Sequence, residues 1–142
     1  MASSTASNYL NTKQMDFLLK GTAWTAPATI YVALFTTVPN LDGTGGVEVS
    51  STGTAYKRIG IAQGTGWTNA VGANLTYSNV DILSFETPTA IWGTIRGIGL
   101  FDAETDGNLL YTGYLVTPKT VSGTDNAPRI LANQLRISRA TC

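Results

Sequence analysis

The carboxylates of one short segment, Asp102-Ala-Glu-Thr-Asp-Gly-Asn, have the types and spacing that could bind a cation. Acids stand at its first, third and fifth positions and glycine at its sixth, as in a helix-flanked calcium loop. The twelfth position is Gly113, where such a loop carries a bidentate glutamate, and the flanks have the pattern of strands. The segment is therefore predicted to be a plain hairpin turn.

Catalytic chemistry has few candidate groups. The chain has no histidine, which excludes imidazole bases, histidine-ligated zinc and histidine pH switches. The only cysteine, Cys142, is the last residue and has no fixed basic neighbour to activate it. The carboxylates available for an acid pair lie in turns or at strand ends, where they are expected as solubilising residues: Asp81, Glu86, Asp102, Glu104 and Asp106. We predict no enzymatic activity, no metal and no cofactor.

Three tryptophans are the remaining candidates for ligand contact. Trp24, Trp67 and Trp92 each lie just before or within turn-rich segments. There an indole can close the end of a β core, or it can stack on a sugar or a partner protein. Closing the core is the simpler interpretation, and the sequence leaves both open.

The elements that must position these groups are mostly strands. Thr94–Phe101 and Leu109–Val116 are apolar runs on either side of the predicted turn, so they form a β-hairpin. The first run and Thr29–Thr36 are apolar on both faces, which favours central positions in a packed sheet. Further strands are predicted at Tyr56–Ile61, Asn74–Tyr77, Val80–Phe85 and Gln134–Ser138. Their spacing predicts an all-β fold, an antiparallel β-sandwich of about seven strands.

One helix precedes the strands, at Asn8–Lys20. Ser7 or Asn8 can cap its start, and Gly21 stands where a left-handed residue ends a helix. Its apolar residues fall on one broad arc, which predicts that the helix packs against its own sheet or docks on a neighbouring subunit. We therefore divide the chain into an N-terminal arm with the helix, residues 1–21, and a β-sandwich domain, residues 22–142.

The segment Val38–Thr54 is rich in Gly, Ser, Thr and Val and has at most a brief strand at Val47–Val49. Such a loop is long for a compact domain, so it is either a functional surface or a segment that orders on a partner.

Charge and hydropathy limit the partners. The 142 residues carry nine basic and nine acidic side chains, a charged fraction of only 13%. A chain without net charge offers no field to attract nucleic acid or an anionic membrane. No apolar run approaches the roughly 20 residues of a membrane span, and the first residues lack a signal-peptide pattern. We therefore expect a soluble protein made in a cytoplasm.

The order of several segments resembles a family of small virion proteins of tailed bacteriophages, often described as tail fibre proteins. The resemblance covers nearly the whole chain and rests on Phe17-Leu18-Leu19-Lys20-Gly21-Thr22, Ala26–Thr36, Gly45–Ser50, Ala55-Tyr56-Lys57-Arg58, Trp92-Gly93-Thr94, Gly99-Leu100-Phe101-Asp102, Gly107–Tyr111 and Thr117–Val121. It departs from the family pattern at Ala127–Ala132, where a more aromatic, glycine-containing strand is usual, so the partner of the last strand is left open.

The resemblance implies a β-sandwich that trimerises as a capsid cement (decoration) protein or as a fibre module. We therefore expect a virion structural protein, a homotrimeric cement that clamps the major capsid protein. The alternative is a tail fibre, tailspike or baseplate module that recognises a host surface glycan. The candidate capsid and inter-subunit contacts lie on the helix and the long loop: Leu10, Met15, Phe17, Leu18, Asp42, Val47 and Val49. The host-recognition alternative would use Trp24, Trp67 or Trp92.

Overall fold

Ten strands and one helix lie within residues 4–138, the part of the chain that the computed structural model describes. In chain order the elements are β1 (Thr5–Ala6), α1 (Asn8–Lys20), β2 (Thr29–Thr37), β3 (Val47–Glu48), β4 (Ile59–Ala62), β5 (Tyr77–Ser78), β6 (Leu83–Ser84), β7 (Gly93–Phe101), β8 (Leu109–Val121), β9 (Arg129–Ile130) and β10 (Arg136–Ile137). Cys142, for which no catalytic role is predicted, lies outside the described residues.

The β7–β8 hairpin is the centre of the fold, as predicted. The two strands pair antiparallel, with Ile98 opposite Gly113 and Leu100 opposite Tyr111. β8 is longer than the sequence indicated and carries an irregularity, since the register shifts between the pairs Ile95–Lys119 and Gly97–Tyr114. A bulge of this kind interrupts the alternation of side chains. A search for period-two alternation therefore ends the strand at the bulge and misses its continuation.

The main sheet has the order β1-β8-β7-β2-β3, and β4 also pairs with β2. β2 and β7 therefore have neighbours on both sides, which confirms the central positions predicted from their apolar faces. β1 lies at the edge, with Thr5 opposite Thr112 of β8. It was not predicted, because two residues are too few to show a period.

A second layer of two small sheets, β5–β10 and β6–β9, packs on this main sheet. Core residues come from both layers, including Val32 and Ile98 of the main sheet and Leu83 and Ile137 of the small ones. The arrangement confirms an all-β, sandwich-like fold. It also shows the pairing that the sequence left open, because β10, the last strand, pairs with β5, while β9, within the atypical segment Ala127–Ala132, pairs with β6.

The outer face of β7 is covered as well. Phe35 and Phe101 stack there with ring centroids 6.0 Å apart. Gly99 lies between them, and a Cβ atom at this position would come within 2.9 Å of both rings. Glycine is therefore required by close packing, and the two apolar faces of β7 are both buried.

The helix caps are as the sequence predicts. The Ser7 side chain accepts a hydrogen bond from the Leu10 N–H at 3.1 Å, and Gly21 has the left-handed φ of 67°. Only one residue of α1, Leu10, is buried, and it joins the main core. β1 and Leu10 thus attach the N-terminal arm to the β domain, while the rest of the helix lies at the surface. No described helix has the length and apolarity to cross a membrane.

Candidate functional site

The last two turns of α1 carry four large apolar side chains that face solvent. Met15, Phe17, Leu18 and Leu19 are between 53% and 75% exposed. We call this set the helix-end patch. Transferring such side chains out of water contributes about 1.5–3 kcal/mol each when burial is complete, and contiguous exposed apolar surface marks interaction sites. Of the two packing arrangements predicted for the helix, packing on its own sheet holds for the first turn, through Leu10, while the second half is exposed.

Two of the predicted partner contacts are buried within their own chain. Leu10 and Val49 are each only 4% exposed and belong to the core of this chain. Leu10 points to the sheet because Ser7 caps the helix and also donates to the Leu109 carbonyl oxygen, which fixes the first turn on β8. Val49 follows β3, where its N–H donates to the Leu34 carbonyl at 3.0 Å. Apolar type alone did not distinguish these buried residues from the exposed ones.

The other predicted contacts are exposed but do not form one surface. Asp42 and Val47 lie on the long loop, whose Leu41 carbonyl accepts the Asn8 N–H at 2.9 Å. The loop therefore touches the start of the helix. Phe17 and Leu18 lie about 13–15 Å further along its axis at 1.5 Å per residue. The long loop is ordered by its own chain.

Asp42 has a local role in that loop. Its carboxylate accepts hydrogen bonds from the Thr44 hydroxyl at 2.6 Å and from the Thr44 N–H at 2.9 Å. These bonds, that of the hydroxyl first, lower the pKa of the Asp42 carboxyl from its ordinary value. The residue closes a tight Asx-type turn.

An aromatic cleft opens beside the helix. Its volume is about 250 Å³, and its walls include Trp24, Trp67, Tyr77 and Tyr111, with the side chains of Gln14 and Gln63. Leu10, Ile30, Leu100, Leu110 and Ile137 also line it. Trp24 and Trp67 come together here from segments that lie far apart in the sequence. We refer to this feature as the aromatic cleft.

Trp92 is separate from that cleft. It is buried, and its indole N–H donates to the Thr54 carbonyl oxygen at 2.8 Å. Its ring meets Tyr56 edge-on at a centroid distance of 5.3 Å and Phe85 at 6.5 Å. The sequence left open whether each tryptophan closes the core or contacts a ligand. Trp92 closes the core. Trp24 and Trp67 are half-buried and line an open surface.

The sequence did not indicate a charged cluster that centres on the ion pair between Arg58 and Glu48. Arg58, with only 7% of its side chain exposed, donates to Glu48 through both Nε and Nη2, at 2.9 and 2.8 Å. Its Nη1 donates to the carbonyls of Ala103 and Asp106, in the hairpin turn. The guanidinium lies 3.9 Å from the centre of the Phe101 ring. Arg58 therefore ties β3 to the turn.

The hairpin turn uses its acids internally. Both Asp102 carboxylate oxygens accept hydrogen bonds from Asn108, at 2.7 Å from the N–H and 2.9 Å from the side-chain amide. Asp106 and Gly107 have φ values of 52° and 75°. The predicted hairpin turn is confirmed. Nowhere within residues 4–138 do three or more potential metal ligands lie together.

Tyr56 belongs to the same cluster, and its burial predicts that the stability of the fold depends on pH. Its hydroxyl donates to Glu48 at 2.8 Å and accepts the Leu34 N–H at 2.9 Å. Burial raises the pKa of the Tyr56 phenol well above its ordinary 10.0. Above pH 10 the unfolded chain loses this proton and the folded one keeps it, so stability falls as pH rises, by about 1.4 kcal/mol per pH unit for this group.

Urea unfolding between pH 8 and pH 11.5 tests this expectation. Tyr56→Phe should show a shallower alkaline loss of stability than the parent chain, by the contribution of one phenol. Phe85→Leu, which alters packing against the same ring without removing a titrating group, should keep the parent slope. Equal slopes for all three proteins would contradict the assignment.

The fold and its surface define a small β-sandwich module whose one helix ends in exposed apolar side chains. The chain belongs to the family described as Podophage GP4 fiber I protein gp80, whose family model matches residues 5–138. The expected membership in a family of tailed-phage virion proteins is thereby confirmed, and the chain is a phage virion structural protein. No curated protein matches it.

Proposed function

We propose that this virion protein is a fibre subunit whose copies associate through the helix-end patch. The family description names a fibre protein, which favours this location over others in the particle. The observation that carries the proposal is the set of four apolar side chains on α1 that find no cover in their own chain. A self-associating fibre subunit supplies that cover from a neighbouring copy.

A homotrimer is the arrangement we propose. A cyclic assembly presents the same patch on every copy to the same partner surface, so each exposed helix end is covered once the ring closes. A small patch makes a weak contact by itself. Several such contacts within one closed assembly act together and hold it far more tightly than one contact does.

Capsid cement is the second candidate. It is supported by the residue order that resembles decoration proteins, and it would place the helix-end patch against the major capsid protein. Both candidates use the same surface for assembly, and they differ in copy number. Cement should be among the most abundant virion proteins, whereas a fibre subunit should be present in far fewer copies.

Quantitative mass spectrometry of purified particles separates the two. A copy number far below that of the major capsid protein, with labelling at the tail end in electron micrographs, is the expected result. A copy number comparable with that of the capsid protein, distributed over the head, would overturn the fibre proposal in favour of cement.

Substitution within the helix-end patch is expected to abolish assembly while leaving the fold intact. Phe17→Gln combined with Leu18→Gln removes apolar surface that is already exposed, so the melting temperature of the isolated chain should change little. Light scattering after size exclusion should show three chains for the parent protein and one for the variant. Incorporation of the double variant into particles should fall at least tenfold.

The matched control is Val116→Gln. Val116, at 74% exposed, is as open as Leu18 at 75%, but it lies on the β8 bulge. This variant should assemble normally, and equal loss of assembly in both variants would show that general surface apolarity, not the helix-end patch, is responsible. Point variants are preferred to deletion of residues 1–21, because that deletion would also remove β1 and Leu10 from the fold.

A further inference from the structure

We propose that the aromatic cleft binds a neutral pyranose unit of a polysaccharide. This deepens the proposed function, on which it rests, by giving the fibre subunit a ligand site of its own. The cleft lies on the β domain beside Leu10 and Gln14 of the helix, whereas Leu18 and Leu19 of the helix-end patch do not line it. Ligand binding and assembly therefore use separable residues.

The walls of the cleft suit the shape and polarity of a sugar ring. A pyranose has a face of C–H groups and a rim of hydroxyls, so it requires an aromatic surface together with hydrogen-bonding groups. Trp24, Trp67, Tyr77 and Tyr111 provide four rings that each bear one polar atom, an indole N–H or a phenol hydroxyl, beside apolar lining residues. A volume of about 250 Å³ is near the lower limit of small-molecule sites, which suits one sugar unit of a longer chain.

The polar groups around the cleft are available for a ligand. Within residues 4–138, no protein partner bonds the indole N–H groups of Trp24 and Trp67, the hydroxyls of Tyr77 and Tyr111, or the side-chain amide of Gln63. Trp92 differs, because its N–H is taken by Thr54. Donors and acceptors thus surround an apolar floor, an arrangement that hydroxyl groups on a ring can satisfy.

Charge selects a neutral ligand. Within residues 4–138, none of the residues that line the cleft is charged. An acidic sugar or a nucleotide phosphate would lose hydration without meeting a counter-charge, which is costly. An apolar side chain from a second copy fits less well, because covering the cleft with hydrocarbon would leave its polar groups without partners. A neutral sugar satisfies both the apolar floor and the polar rim.

Binding of neutral oligosaccharides to the full chain tests the inference. The probes are an array of immobilised neutral and acidic glycans, followed by titration of the bound sugars with intrinsic tryptophan fluorescence as the readout. We expect binding to neutral glycans, with Kd raised about tenfold or more by Trp67→Ala, the size that loss of one stacked ring predicts.

A second variant distinguishes the loss of a ligand contact from misfolding. Gln63 is exposed, and it bonds the chain through its backbone, since its N–H donates to the Ala28 carbonyl at 2.8 Å and its carbonyl accepts the Thr65 N–H at 3.0 Å. Gln63→Ala should therefore fold normally and raise Kd several-fold. Tyr114→Ala, an exposed aromatic change on β8 away from the cleft, should leave Kd unchanged.

The inference would be overturned by binding to none of the neutral glycans, by binding to acidic glycans only, or by neutral binding that Trp67→Ala and Gln63→Ala leave unchanged. Loss of self-association in these two variants without any sugar binding would also overturn it, since the cleft would then be an interface between copies. Copy number in the particle tests the fibre function independently. A fibre subunit that binds no sugar contradicts this inference alone.

Discussion

Arg58→Ala is expected to lower the free energy of unfolding by about 3–5 kcal/mol, the usual cost of removing one partner of a buried ion pair. The substitution leaves the Glu48 carboxylate without its bidentate partner and the carbonyls of Ala103 and Asp106 without their donor. It also removes the cation stacked on Phe101. Urea unfolding at pH 7 measures the change.

Arg58→Lys should recover only part of this loss, because an ammonium keeps the charge but cannot reproduce the planar fork. Lys57→Ala is the matched control. The adjacent Lys57 pairs with Glu86 at 3.1 Å, but both side chains are more than half exposed, so its removal should cost less than about 1 kcal/mol. Similar losses for Arg58→Ala and Lys57→Ala would show that the buried cluster contributes no special stability.

Asn79→Ala is expected to cost about 3 kcal/mol or more, because it strips partners from three backbone groups at once. The Asn79 side chain is fully buried. Its carbonyl oxygen accepts the Leu135 N–H at 2.9 Å, and its amide donates to the carbonyls of Asp81 and Leu131 at 2.7 and 3.0 Å. One side chain thus anchors the C-terminal segment to the layer that contains β5 and β6.

Hydrogen exchange locates this effect as well as measuring it. In Asn79→Ala the amide protons of β10 should exchange faster than those of β7, because the C-terminal segment loses its attachment while the central hairpin does not. Asn126→Ala, at an exposed position in the loop before β9, should change stability by less than about 0.5 kcal/mol. Uniform exchange across both strands would contradict a local anchoring role for Asn79.

Local residue pattern sufficed for the helix, its caps and the long strands. Ser7, Gly21 and the turn at Asp106-Gly107 act through neighbours a few residues away, so their roles can be recognised without knowing what they pack against. The apolar faces of β2 and β7 are long enough to show that both strands are central. The two-residue strands are different, because their pairing depends on distant partners such as Thr112 for Thr5.

The candidate sites divide in the same way. From its sequence alone, this chain could be assigned an all-β fold with an amphipathic helix, since composition and periodicity are properties of neighbouring residues. Its place among virion proteins came from the resemblance of its segment order to a phage family, which the family model then confirmed. Only the tertiary structure decided that Leu10 and Val49 are core while Phe17 and Leu18 are exposed. It alone brought Trp24 to Trp67 and Arg58 to Glu48, because burial and charge pairing depend on contacts between segments whose distance in space the order of residues does not reveal.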